Sequence, residues 1–175
     1  MKIKINSILL VFIFLFFFIQ KSVAEDLKIV FVDMDKIISS SNAGKKVQSS
    51  MDKFAKKEND KFDSIESNLK KKEQEILKQK NIISKEELDK KVKSFQAEIL
   101  ELRKEKVEFN RSIIKKNKDA TKKMVNEINK ILTQYASDNS VSLVIQKKNI
   151  IIGKTELDIT PEILKQFNSK IKSIN

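Results

Sequence analysis

Ile76-Leu77-Lys78-Gln79-Lys80-Asn81-Ile82-Ile83-Ser84-Lys85-Glu86-Glu87-Leu88 is the stretch on which the fold turns. Asn81-Ile82-Ile83 interrupts a helical pattern, and Ser84 with Glu87 three residues on is a capping box that starts a new one. Upstream, Val47, Met51, Phe54, Phe62, Ile65, Leu69 and Ile76 form one apolar stripe. Phe54, Ile65 and Ile76 repeat every eleven residues, a period that keeps the stripe nearly straight on an α-helix. Downstream, Leu88, Val92, Phe95, Ile99, Leu102, Lys106, Phe109 and Ile113 alternate steps of four and three, a heptad stripe carrying one lysine. The two stripes mirror one another about residue 82. Ile76 and Leu88, Leu69 and Phe95, Ile65 and Ile99, Phe62 and Leu102, and Met51 and Ile113 lie at equal distances on either side, and Phe54 and Phe109 miss by one. The polar layer matches too, with Glu58 opposite Lys106. This predicts an antiparallel helical hairpin with its tip at 81–84, and about 38 residues per arm make a rod of ~57 Å. The competing arrangement is one continuous intermolecular coiled coil; the mirror and the capped break argue against it.

Outside the hairpin the periodicity changes. Leu27 to Asp33 reads as a strand, with a β-branched and aromatic run suited to burial on both faces. Ile37 and Ile38 sit in a short helical turn, and Ser39-Ser40-Ser41-Asn42 breaks it before the first arm helix. Gly44 there either needs a positive φ or marks the helix start. The second arm helix runs to about Ala136, with Ala120, Met124, Ile128, Ile131 and Tyr135 continuing its apolar face after a phase shift. Val141, Leu143 and Ile145 then alternate as a strand. Ile150-Ile151-Ile152 reads as another, with Lys147-Lys148-Asn149 as the hairpin turn between them. Thr160 as N-cap and Pro161 at N1 open a last helix with Ile163, Phe167, Ile171 and Ile174 on one face. The predicted class is α+β: a small β-sheet body built from both chain ends, with the long antiparallel α-helical hairpin projecting as a coiled-coil arm. Residues 25–42 and 137–175 supply the body and 43–136 the arm. Three short strands and two short helices make a thin core, so neighbouring subunits are expected to complete the sheet.

The first 24 residues read as a secretory signal. Lys2 and Lys4 precede an unbroken apolar run from Ile8 to Ile19, and Ser22-Val23-Ala24 is a small-x-small site, so cleavage is expected between Ala24 and Glu25. The run is short of the ~20 residues a membrane span requires. The whole chain carries a net charge of +12; without Lys2, Lys4 and Lys21 the mature part keeps an excess of nine basic residues. That favours acidic partners, and export argues against nucleic acid. The absence of Cys and His removes thiol nucleophiles, Ser-His triads and Cys/His zinc sites. Gly44-Lys45 is not a P-loop, since Ser39 and Lys46 both break the motif. Glu86-Glu87 lies on an exposed helix start with nothing apolar to shift a carboxyl toward acid–base work. No enzyme activity and no cofactor are expected.

Taken in order, Ile29-Val30-Phe31-Val32-Asp33-Met34-Asp35-Lys36, Asn42-Ala43-Gly44-Lys45 and Asp158-Ile159-Thr160-Pro161-Glu162-Ile163-Leu164 resemble the Skp (OmpH) family of periplasmic chaperones. These motifs frame a charged helical hairpin behind a signal peptide, and the resemblance covers essentially the whole mature chain. It implies a periplasmic homotrimer with a central β body and three helical arms enclosing a cavity. It also implies an ATP-independent holdase for unfolded outer-membrane proteins.

The chemistry left for such a chain is binding. Lys104, Arg111, Lys115 and Lys118 on the second arm helix are the residues expected to draw acidic unfolded chains by long-range attraction. The same basic balance admits contact with an anionic membrane or lipopolysaccharide. The Phe and Ile stripe is assigned to the hairpin's own seam, because each member has a mirror partner. The alternative function is a non-enzymatic envelope adaptor or stalk whose hairpin bridges partners.

Overall fold

The computed structural model of the protein describes residues 27–174; the expected signal and its cleavage site at Ala24 and Glu25 lie outside them. Strand β1 (Ile29–Val32) leads into helix α1 (Met34–Ser40) and the two long helices α2 (Asn42–Gln79) and α3 (Lys85–Asp138). Strand β2 (Leu143–Gln146) and helix α4 (Thr160–Lys170) complete the order. Each of the first three helices begins on a short polar side chain that accepts an otherwise orphaned N–H. Asp33 accepts from Lys36 at 2.9 Å, Ser41 from Gly44 at 3.0 Å, and Ser84 from Glu87 at 3.2 Å. Helix α3 ends where Ser140 turns into the left-handed region (φ 51°), and the Val141 N–H reaches back to the Ala136 carbonyl.

The strands pair in parallel, Ile29 opposite Leu143 and Val32 opposite Gln146. Parallel neighbours need a crossover, and here the crossover is the whole helical hairpin. On the other side of β1 the Ile159 N–H donates to the Phe31 carbonyl at 2.9 Å. Among the described residues no strand covers the far edge of β2. One face of β1 supplies Val30 and Val32 to the main core, with Ile37, Met124, Ile128, Ile131, Ile159, Ile163 and Phe167. The phase-shifted end of α3 is therefore the root of the arm, buried in the body. Phe31 points to the opposite face and is roofed by the segment after β2. Lys147 Nζ lies 5.7 Å from its ring centroid, and the Gly153 backbone passes so close that a Cβ there would stand 2.9 Å from Cε1.

Two sequence expectations change, and a third point left open is decided. First, Ile150-Ile151-Ile152 forms no strand. Lys147–Asn149 is a single 3-10 turn, and the chain then crosses over Phe31 to reach the far side of β1 instead of returning beside β2. Ile151 and Ile152 are left 99% and 91% exposed. Strand propensity is realised only where a partner edge is within reach. Second, Thr160 is not the cap of α4. Its hydroxyl accepts the Asp33 N–H at 2.8 Å, and its own N–H is taken by Asp158 Oδ1 at 2.9 Å. Third, of the two readings of Gly44 the helix start holds: it lies in the first turn of α2 and has no positive φ. It is required because α2 starts against the end of α1: a Cβ would stand 1.7 Å from the Ile38 carbonyl oxygen.

Candidate client-binding arm

The arm is built by α2 and the first two-thirds of α3. Its seam is a cluster of Phe62, Leu69 and Leu102, with Ile65, Phe95, Ile99 and Phe109 packed against it. These are mirror-related residues, yet they interlock rather than meet level. The Phe109 ring lies 5.6 Å from both Phe54 and Phe62. Leu102 joins a cluster with Leu69 as well as with its mirror partner Phe62. Side chains on a helix tilt toward its N-terminus. In an antiparallel pair those of α3 lean to the tip and those of α2 to the body, so an α3 side chain meets α2 residues nearer the tip than strict symmetry places them. The same tilt corrects the expected polar layer. Lys106 does not pair with Glu58; it bonds Glu66 at 2.6 Å, with its Nζ 5.6 Å from the Phe62 ring.

Two further ion pairs and a hydrogen bond flank the seam. Lys61 bonds Glu105 at 2.9 Å, Lys72 bonds Glu98, and Lys91 donates to Gln79 at 2.6 Å. The Glu105 hydrogen bond and charge push Lys61 above its ordinary pKa, and the Lys72 hydrogen bond holds Glu98 below its own. All these pairs are half-exposed, so they fix register more than they add stability.

The four basic residues singled out in the sequence all lie exposed on α3. Arg111 is paired with Glu108 one turn back at 2.6 Å, and Lys104 sits 3.8 Å from Glu101. Lys115 and Lys118 have no ion-pair partner among the described residues. The four do not converge on a pocket; they line the outside of one helix. Sequence reasoning missed the aliphatic residues beside them: Leu100, Val107 and Ile114 are 55%, 48% and 68% exposed. Their seven-residue spacing, one position past the seam, was the signal available.

The three motif stretches meet elsewhere, where the arm joins the body. The Asp33 N–H donates to Thr160, the Thr160 N–H to Asp158, Lys147 Nζ to Asp158 Oδ2 at 2.8 Å, and the Asn42 N–H to Asn168 at 2.8 Å. Burial alone would raise the Asp158 carboxyl, but the hydrogen bonds from Lys147 and Thr160 outweigh it and hold the group below its ordinary range. The same contact raises Lys147. Among the described residues no buried side-chain polar atom lacks a hydrogen-bond partner. The motifs thus encode a joint that anchors the arm.

No curated protein matches the chain. A solved structure from Caulobacter crescentus, described as a candidate outer membrane chaperone (OmpH-like), is 15% identical with a TM-score of 0.79. The match covers 84% of this chain and 87% of that one, a likeness of fold. Residues 28–167 match the family model described as outer membrane protein (OmpH-like). That span runs from β1 through the arm into α4 and includes all three motif stretches, so the chain belongs to the OmpH-like family, the Skp (OmpH) family its motifs resemble.

Proposed function

We propose that the protein is a periplasmic, ATP-independent and non-enzymatic holdase that keeps unfolded outer-membrane β-barrel proteins soluble in a cavity bounded by the arms of a homotrimer. The observation that carries this reading is the arm. It is a hairpin about 57 Å long along α2, closed on its own seam, rooted in a small body, and bearing Lys104, Arg111, Lys115 and Lys118 along one exposed helix. Such an arm offers length and charge without a sequence-specific pocket. Assembly is supported by the uncovered edge of β2 and by Ile151 and Ile152, which stand out from the body and suit burial against a neighbouring copy. Among the described residues no helix is long and apolar enough to cross a membrane.

The test dilutes a urea-unfolded outer-membrane β-barrel protein into buffer with the mature chain and no ATP. Light scattering should stay low at a small molar excess of chaperone, and capture should slow as salt rises, because exposed charges are screened beyond ~10 Å at 0.1 M. Changing Lys104, Arg111, Lys115 and Lys118 together to Glu should slow capture with helix content and mass unchanged. Aggregation undiminished by the unmodified chain would refute the holdase reading.

A further inference from the structure

The α3 helix carries a second heptad row on the face turned away from its seam. Leu100, Lys104, Val107, Arg111, Ile114 and Lys118 step by four and three, alternating an exposed aliphatic residue with a base, and no acid falls in the row. Steps of four and three place successive side chains one above another on a single helix face. The row is about 27 Å long, but only one side chain wide. From this we infer that it is a docking track for one extended, unfolded polypeptide segment carrying both apolar and acidic side chains. The inference rests on the holdase reading and assigns its contact surface.

Three features select this occupant. A folded protein partner needs ~800 Å² of each surface, and a strip one side chain wide falls well short of that, whereas a single extended chain fits. A second copy laying the same row against this one would bring Lys and Arg against Lys and Arg, which is repulsive. A membrane surface takes a helix with a broad apolar face, and here every aliphatic residue is followed by a charge. The acids near the row do not block it. Glu101 and Glu108 lie along one edge of the row, and their pairs with Lys104 and Arg111 are largely exposed. Exposed pairs of this kind are weak and can be exchanged for a client carboxylate. The bases would speed encounter and the aliphatic residues slow release, so one row supplies both the salt-sensitive and the salt-insensitive part of capture.

The experiment uses the full mature chain, in which an introduced cysteine is the sole thiol because the protein has none. Val107→Cys, in the row, and Glu101→Cys, off it, are each labelled with a benzophenone photocrosslinker. They are irradiated with a urea-unfolded outer-membrane β-barrel protein diluted to low denaturant. Crosslinks to the client should be several-fold stronger from 107 than from 101. In parallel, Leu100→Gln, Val107→Gln and Ile114→Gln are combined, with circular dichroism and mass confirming helix content and assembly. The triple variant should release the client roughly tenfold faster and lose the capture that the parent retains at about 0.5 M salt. Equal crosslinking from both positions, crosslinks chiefly between copies, or unaltered release from the triple variant would overturn the track while leaving the holdase reading standing. A parent chain that fails to hold the client at all would overturn the holdase reading first, and the track with it.

Discussion

Leu102→Ala isolates what the arm seam contributes. Leu102 is 8% exposed and shares its cluster with Phe62 and Leu69. The substitution removes three carbon atoms from that site, about 2.4 kcal/mol at ~0.8 kcal/mol for each buried methylene. In a globular core a void would add to this and take the cost to ~2–5 kcal/mol. Here Leu102 forms the wall between two open clefts, one lined by Ile65, Asn68 and Lys72, the other by Lys70, Phe95 and Ile99. Neighbours and water can fill the gap, so the void term is small, and alanine's better helix propensity returns ~0.2 kcal/mol. The net cost should be about 2 kcal/mol, confined to the arm. Hydrogen exchange read by mass spectrometry should show protection in 60–75 and 95–110 falling roughly thirtyfold, with α4 unchanged. Leu100→Ala, two residues away but 55% exposed, should lower protection only slightly. Equal losses from the two variants, or a loss that spreads into α4, would refute the seam as the source of arm stability.

Ile65→Cys with Ile99→Cys should form a disulfide within one chain under mild oxidation, read on a denaturing gel; a product solely between chains would contradict the hairpin. Gly44→Ala forces a methyl group onto the Ile38 carbonyl and should destabilise the body by about 3 kcal/mol, read as a lower urea midpoint; Asn42→Ala, which keeps the backbone N–H to Asn168, should not. Asp158 has its folded pKa depressed, so it stabilises the body above the unfolded aspartate value of about 3.9, and that stability is lost as pH falls through the folded value. Asp158→Asn should therefore lower the urea midpoint at about pH 7 and make it less sensitive to acid than the parent's between about pH 5 and pH 3; parallel acid limbs would argue against this.

The arm was legible because its information is local and repetitive. Seven apolar positions on each side of Asn81 fix which helix faces turn inward, and Ser84 fixes where the chain restarts. What the mirror could not supply was the tilt of side chains within the helix pair, which sends Lys106 to Glu66. The body was legible by parts: β1, β2 and α4 each carry their own periodicity. Ile150-Ile151-Ile152 was misread because three β-branched residues make a strand only beside a free edge, and the chain here must cross Phe31 to bring Asp158 to β1. Thr160 was misread because a hydroxyl before proline suits a cap equally well as a long-range acceptor, and only the fold brings Asp33 to it. Gly44 could be understood only once α1 was seen to end against α2. Charge singled out four basic residues on α3, but the alternation of Lys104, Arg111 and Lys118 with Leu100, Val107 and Ile114 was hidden by assigning apolar residues to the seam alone.

The parallel pairing of β1 with β2 also orders the folding of the chain in time. Asp33 bonds Thr160 across 127 residues of sequence, so the body has a very high contact order, whereas each arm helix forms through neighbours four residues apart. Closing so long a flexible loop directly would be slow. A hairpin that forms first delivers its two ends side by side and shortens the effective loop to the few residues flanking it. The arm is then the template on which the body closes, and a chain emerging from its N-terminus holds β1 without a partner until the whole arm and β2 (Leu143–Gln146) have followed. Only a chain extended as far as Asn168 can make every bond of its own joint.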